Sequence, residues 1–246
     1  MLPIKKFFLK KLIPLVSLLF FSATVKAQYN YAPFGVGGGF SIVRPFSDLA
    51  QNNTNHSFNI DLYYNYSPYV PFALEVQKGT LSGGNDVTDP SHRYFVNSFT
   101  SISAHGDLQF GEIIDYEDNF IKNALKGFYV GLGIGATLNN ITSIRRYALD
   151  VPTYKFPGED HSVNMLLPLR FGYEIKFFDY NDEPSFSINL GYVHNLTFSE
   201  GLDGYNDPPT QFKNNVQDMF SQITFNVKFF FGNPLSYTKP IRQNRF

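Results

Sequence analysis

From Gln222 to Phe231 the chain reads Gln-Ile-Thr-Phe-Asn-Val-Lys-Phe-Phe-Phe. Side chains on an extended strand alternate between two faces. Ile223, Phe225, Val227, Phe229 and Phe231 therefore share one face, and Gln222, Thr224, Asn226 and Lys228 share the other. The pattern recurs about eight times, in runs long enough to cross a bilayer as tilted strands, which takes about 9–11 residues. The expectation is an all-β fold: an eight-stranded antiparallel up-and-down barrel that closes on itself and spans a membrane.

The N-terminal 27 residues read as a secretory leader. Lys5, Lys6, Lys10 and Lys11 form a basic start, Leu12 to Val25 an apolar stretch, and Val25-Lys26-Ala27 a small-residue cleavage site with Gln28 next. A single transmembrane anchor is the competing reading, but the apolar run is short and interrupted by Pro14 and Ser17. No Cys follows the cleavage site, so a lipoprotein is not expected. Losing the five lysines of the leader leaves 15 basic against 21 acidic residues, a net charge of −6 over 219 residues. An acidic chain is a poor partner for nucleic acid. With no cysteine there is no disulfide framework and no thiolate chemistry. The expected divisions are a signal peptide over 1–27, a barrel over 28–232 and a periplasmic C-terminal tail over 233–246.

Strands are predicted near 34–44, 56–66, 71–80, 93–111, 127–139, 161–178, 185–198 and 218–232. Long polar loops at 45–55, 81–92, 140–160 and 199–217 alternate with short turns at 67–70 and 179–184, the asymmetry of outer-membrane barrels. The connection at 112–126 is longer, and Ile121 to Lys126 suits one or two helical turns. Pro234 and Pro240 keep the tail from continuing the last strand. Pro168 lies inside the sixth strand and lacks an N–H, so a bulge or a lateral opening for a hydrophobic solute is expected there.

The less apolar face carries the charges Asp61, Glu75, His105, Asp107, Arg170, Glu174, Lys176 and Lys228. Charges facing lipid are costly, and rows of glycine on the same face suit a narrow interior. This face is therefore read as the lumen, and its charges as an internal ion-pair network. A gated ion path is the functional alternative.

The chain resembles the small outer-membrane β-barrel family, the OmpA- and OmpX-like eight-stranded barrels, across nearly all of 28–232. The resemblance rests on the leader, the eight alternating segments, the run Gly127-Phe128-Tyr129-Val130-Gly131-Leu132-Gly133 and the aromatic last strand ending Phe231-Gly232. It implies an outer-membrane location among lipid and lipopolysaccharide. It also implies that the barrel assembly machinery reads the last strand, here 14 residues from the end, while Phe246 sits on the tail. No peptidoglycan-binding domain is expected after the barrel, unlike in the two-domain proteins of that family.

Ser103, His105 and Asp107 share a face of the fourth strand, as in a lipid-modifying enzyme with Ser, His and an acid. However, alternate residues lie roughly 7 Å apart, and this face is the lumen. His194 falls on the lipid-facing register. The five histidines have no metal-ligand spacing, and Asp86, Asp89, Glu200, Asp203 and Asp207 read as solvated loop charge rather than a calcium site. Lys239, Arg242 and Arg245 make the tail basic, either as a solvated tail or for docking onto an acidic periplasmic partner. No residue is assigned a catalytic, cofactor-binding or metal-ligating role. The leading expectation is a non-enzymatic envelope protein with a structural or interaction role. A small-solute or hydrophobic-molecule channel, an accessory subunit of a secretion or assembly complex, a lipid-modifying enzyme and a soluble lipocalin-like barrel are the rivals.

Overall fold

The computed structural model describes residues 29–116, 119–198, 201–206 and 218–239. The expected leader, Gln28, Glu200, Asp207, Arg242, Arg245 and Phe246 lie outside the described residues.

In chain order the elements are β1 (Tyr29–Tyr31), β2 (Phe34–Phe46), β3 (Asn55–Ser67), β4 (Val70–Gly84), β5 (Tyr94–Gln109), α1 (Phe110–Ile113), α2 (Phe120–Leu125), β6 (Phe128–Ile144), β7 (His161–Phe178), β8 (Pro184–Thr197), β9 (Met219–Phe231) and β10 (Leu235–Tyr237). Strands β2 to β9 each pair antiparallel with the next, and β9 pairs with β2 to close an eight-stranded barrel. Closure removes the free sheet edges that an open sheet leaves. Among the described residues no helix is long and apolar enough to cross a membrane, which says nothing of a barrel, whose crossing elements are strands.

The alternation sorts the side chains as the period-two pattern requires. Ile60, Leu62, Leu74, Val130, Leu190, Ile223 and Phe229 point outward and are exposed, while Asp61, Glu75, Gln77, Thr224 and Asn226 point inward and are buried. An apolar exterior around a polar interior is the reverse of a soluble lipocalin-like barrel.

The short turns are held locally. Ser67 Oγ accepts a hydrogen bond from Tyr69 N at 3.1 Å. Asp179 Oδ1 accepts from Asn181 N and Glu183 N, each at 2.9 Å, while Asp182 takes a positive φ of 60°. Asn119 caps α2 by accepting from Ile121 N and Lys122 N, which stabilises the helical turn expected near Ile121.

Three features differ from the expectations. At Pro168 there is no bulge. The β6–β7 register is the same on both sides, Leu132 with Leu169 and Gly135 with Leu166, and only the two intervening pairs are missing. The proline, without an N–H, interrupts the ladder without shifting it. The tail does leave β9, at Gly232 with φ of 107°, but Leu235–Tyr237 then pairs with Tyr29–Tyr31 as a separate two-stranded sheet.

The third difference is at the long-loop end. The loops fold inward, so that Leu49, Phe156, Leu202 and Tyr205 join Val43, Leu81, Phe95, Phe99, Leu166 and Phe220 in a buried apolar cluster. The barrel mouth on that side is filled by hydrophobic side chains. The loop acids take part in this packing: Asp89 is buried and accepts from Ser91 N at 2.9 Å, and buried Asp203 accepts from Tyr205 N at 2.9 Å. Asp86 pairs with Arg145. These carboxylates hold loop structure rather than lying free in solvent.

Candidate functional site: the charged interior

The interior below the apolar cluster is built from residues two apart on neighbouring strands. Register places Asp61 opposite Glu75 and Glu75 opposite Ser103, so His105 and Asp107 follow on the same face of β5. Gly131 of β6 stands opposite both Asp107 and Arg170. A Cβ added at Gly131 would lie 2.0 Å from Asp107 Oδ1. The glycine thus leaves the space through which Arg170 and Asp107 meet across an intervening strand.

All eight charged positions read as luminal point inward. Seven of them fall into two groups. In the first, Arg170 Nε donates to Asp107 Oδ1 at 3.1 Å, and Arg170 Nη1 lies 3.6 Å from Glu75 Oε2. His105 sits between the two acids, with Nε2 3.8 Å from Glu75 Oε2 and Nδ1 3.8 Å from Asp107 Oδ1. In the second, Lys228 Nζ is 3.3 Å and Lys176 Nζ 3.8 Å from Glu174. Ser187 Oγ donates to Glu174 Oε1 at 2.6 Å, and Gln109 donates to its other oxygen. Such additional donors are what make a buried carboxylate tolerable.

Asp61 departs from the expected pairing. Among the described residues it has no cation within ion-pair distance. Its Oδ2 accepts from Asn59 Nδ2 at 2.7 Å and from the Tyr63 hydroxyl at 3.2 Å, and its Oδ1 has no partner.

The interior is close to solid at this level. The cavity enclosed among Tyr63, Asp107, Arg170, Glu174 and Lys228 is about 10 Å³, barely the size that admits one water. At the short-turn end a cluster of tyrosines continues the filling. The Tyr69 hydroxyl donates to that of Tyr116 at 2.7 Å, Lys176 lies over the Tyr69 ring at 4.7 Å, and Tyr237 of β10 packs against Tyr69.

An apolar outer wall around a filled, charged interior decides the class of fold. The chain has the fold of the small eight-stranded outer-membrane barrels.

Solved structures of similar shape are those of surface protein A of Neisseria, the attachment invasion locus protein Ail of Yersinia pestis in complex with sucrose octasulfate, and the outer membrane protein OprG of Pseudomonas aeruginosa. The first is 13% identical with a TM-score of 0.44, covering 84% of this chain and all of its own. The second is 11% identical with a TM-score of 0.42, again covering 84% of this chain and all of its own. OprG is 12% identical with a TM-score of 0.38, covering 82% of this chain and 98% of its own. No protein-family model matches the chain, and no curated protein matches it.

The remaining candidates separate by position. Ser103 and His105 share the inward face, but neither ring nitrogen of His105 makes a hydrogen bond. His194 faces outward and packs edge-on against Phe46 at 6.0 Å. Lys239 donates to the Ile114 carbonyl and lies over the Tyr116 ring. The linear spacing did not reveal the inward-facing aromatics. Phe95 and Phe99 occupy the same register as His105 and Asp107, so the inner face turns from polar to apolar along one strand.

Outside the barrel, a groove of about 610 Å³ runs over Leu62, Tyr64, Phe72, Leu74, Leu132 and Ile134. Its floor is low because Ala104 and Gly106, on the outward register of β5, present little side chain, and it borders the interrupted ladder at Pro168.

Proposed function

We propose that this protein is a non-enzymatic, integral component of the bacterial outer membrane, and that its role is structural or one of interaction within the cell envelope. One observation carries the reading: among the described residues the apolar cluster, the paired charges and the tyrosines occupy the lumen in turn, and the cavity among the charges is only about 10 Å³. Side chains so placed leave little room for a solute path. The placement of Ser103, His105 and Asp107 inside that barrel, away from lipid and without mutual hydrogen bonds, supports a non-enzymatic reading. The exterior is suited to lipid and lipopolysaccharide. The aromatic strand β9 is the segment that the barrel assembly machinery would read during insertion. The sheet of β1 and β10, at the short-turn end, is the natural contact for a periplasmic or envelope partner, as an accessory subunit would need.

The test has two arms. Membranes of the source cells are fractionated and washed with carbonate, and liposomes carrying the refolded protein are assayed for swelling in small sugars. The protein is expected to stay with the outer membrane, and the liposomes to swell no faster than empty ones. Release by carbonate contradicts the location, and rapid swelling contradicts the closed interior.

A second reading is favoured by the groove at Pro168: a hydrophobic molecule held against the wall. Leu74→Trp, which fills the groove, should then abolish binding of a fluorescent fatty acid to the protein in detergent. Equal binding by the variant and the wild type removes this reading.

A further inference from the structure

We propose that Asp61, Glu75 and His105 form a binding site for a divalent transition-metal cation of the zinc class inside the barrel. One oxygen of each acid and one ring nitrogen of the histidine lie within 4.8 Å of one another. They come from β3, β4 and β5, three adjacent strands, and so are fixed by the register of the sheet rather than by a loop. Bonds of about 2.0–2.2 Å to a central ion bring such atoms closer than this, a movement that side-chain rotation supplies.

Unpartnered polar atoms point to the ion. Asp61 is 0% and His105 4% exposed. Yet Asp61 Oδ1 and both His105 nitrogens have no hydrogen-bond partner. A buried polar group left unpaired is expensive, and one cation would satisfy Asp61 Oδ1 and one imidazole nitrogen together.

The neighbouring groups are those a metal site needs behind its ligands. Metal-bound histidines donate their second ring N–H to a carboxylate, and ligating carboxylates are themselves hydrogen-bonded. With Nε2 turned to the ion beside Glu75, Nδ1 faces Asp107, 3.8 Å away. Asp61 is held through its other oxygen by Asn59 and Tyr63, which leaves Oδ1 free to ligate.

Charge leads to the same conclusion. Among the described residues Arg170 is the cation paired with Glu75 and Asp107, Asp61 has none within ion-pair distance, and Lys176 and Lys228 serve Glu174. Three carboxylates and one guanidinium leave two negative charges beside the imidazole, and a divalent ion cancels them. One imidazole with two carboxylates is a mixed nitrogen and oxygen set. That suits Zn²⁺ and its neighbours in the transition series better than Ca²⁺ or Mg²⁺, which take oxygen ligands.

The test folds the barrel from urea into detergent with Zn²⁺ present, desalts it and counts the metal by mass spectrometry. Heat-modifiable gel mobility verifies folding. Wild type should retain about one Zn²⁺ per chain. Asp61→Asn and His105→Asn should each lose it, and Asn59→Ala, which frees the second oxygen of Asp61, should bind about tenfold more weakly. With Co²⁺ in place of Zn²⁺, the wild type should show visible absorption bands that Asp61→Asn lacks. Should His105→Asn fail to fold, Asp61→Asn and the cobalt spectrum decide. Folded wild-type protein that retains no zinc and shows no cobalt band overturns the proposal, as does equal retention by Asp61→Asn.

Discussion

Arg170 on β7 reaches past Gly131 to donate from Nε to Asp107 Oδ1 on β5, at 3.1 Å, across the strand that separates them. The contact ties together strands that share no ladder, and the second guanidinium edge faces Glu75 on β4 at 3.6 Å. A single side chain thereby braces a large part of the barrel wall from inside.

Arg170→Ala removes the cation and leaves Asp107 and Glu75 buried without it. Breaking a buried pair from one side costs about 3–5 kcal/mol. The variant is expected to unfold at clearly lower denaturant, and Arg170→Lys, which keeps the charge but not the planar fork, to fall between. The chain contains no Trp, so unfolding is followed by circular dichroism or by gel mobility. An unchanged midpoint for Arg170→Ala contradicts the bracing role.

The outward face is tested separately. Ile60 is 67% exposed on the middle of β3, directly beside inward-facing Asp61 in the sequence. Ile60→Arg places a charge where lipid is expected, at a cost of about 2–4 kcal/mol near the midplane. The same change at Tyr66, near the end of β3, should cost less. Folded fractions in phospholipid, read by heat-modifiable mobility, should rank wild type, Tyr66→Arg, Ile60→Arg. Equal insertion of all three contradicts the assignment of the faces.

Much of this was legible from period-two alternation. Strict alternation set the strand positions, the outward Ile, Leu and Phe residues and the inward charges, because a one-residue slip would put every side chain on the wrong face. Pairing across the lumen was not legible. Whether Arg170 meets Asp107 or Asp61 depends on shear and on Gly131, which no single strand encodes. The convergence of Asp61, Glu75 and His105 was hidden for the same reason, since ligands from three strands have no characteristic linear spacing. The loop plug was missed because Phe156, Leu202 and Tyr205 sit among Gly, Pro, Asn and Asp, whose polarity masks three buried anchors. Tyr29–Tyr31 and Leu235–Tyr237 are too short for alternation to mark, and they find each other only after the barrel brings the two ends of the chain together.

The loop plug should respond to pH through Asp218, which lies just before β9 beyond the barrel's spanning part. Its Oδ2 accepts from Leu202 N at 2.9 Å and Gly201 N at 3.1 Å. Burial pushes its carboxyl up to about 6, against the opposing effect of these N–H donors, with the negative charge of Asp48 adding to the rise. The folded state then holds the proton more tightly than the unfolded chain, whose value is 3.8. The stability contributed is fully present below that value and is lost as pH rises through about 6. Hydrogen exchange at Leu202, corrected for its intrinsic rate, should accelerate across that window in the wild type and stay flat in Asp218→Asn. Identical pH profiles in the two proteins contradict this linkage.

Three successive layers occupy the interior: apolar at the long-loop end, charged in the middle and tyrosine-rich at the short-turn end. Single-channel recording of the refolded wild-type protein in planar bilayers tests this arrangement most directly. No steady conductance steps above the protein-free bilayer are expected. A reproducible, long-lived step of fixed size would contradict it.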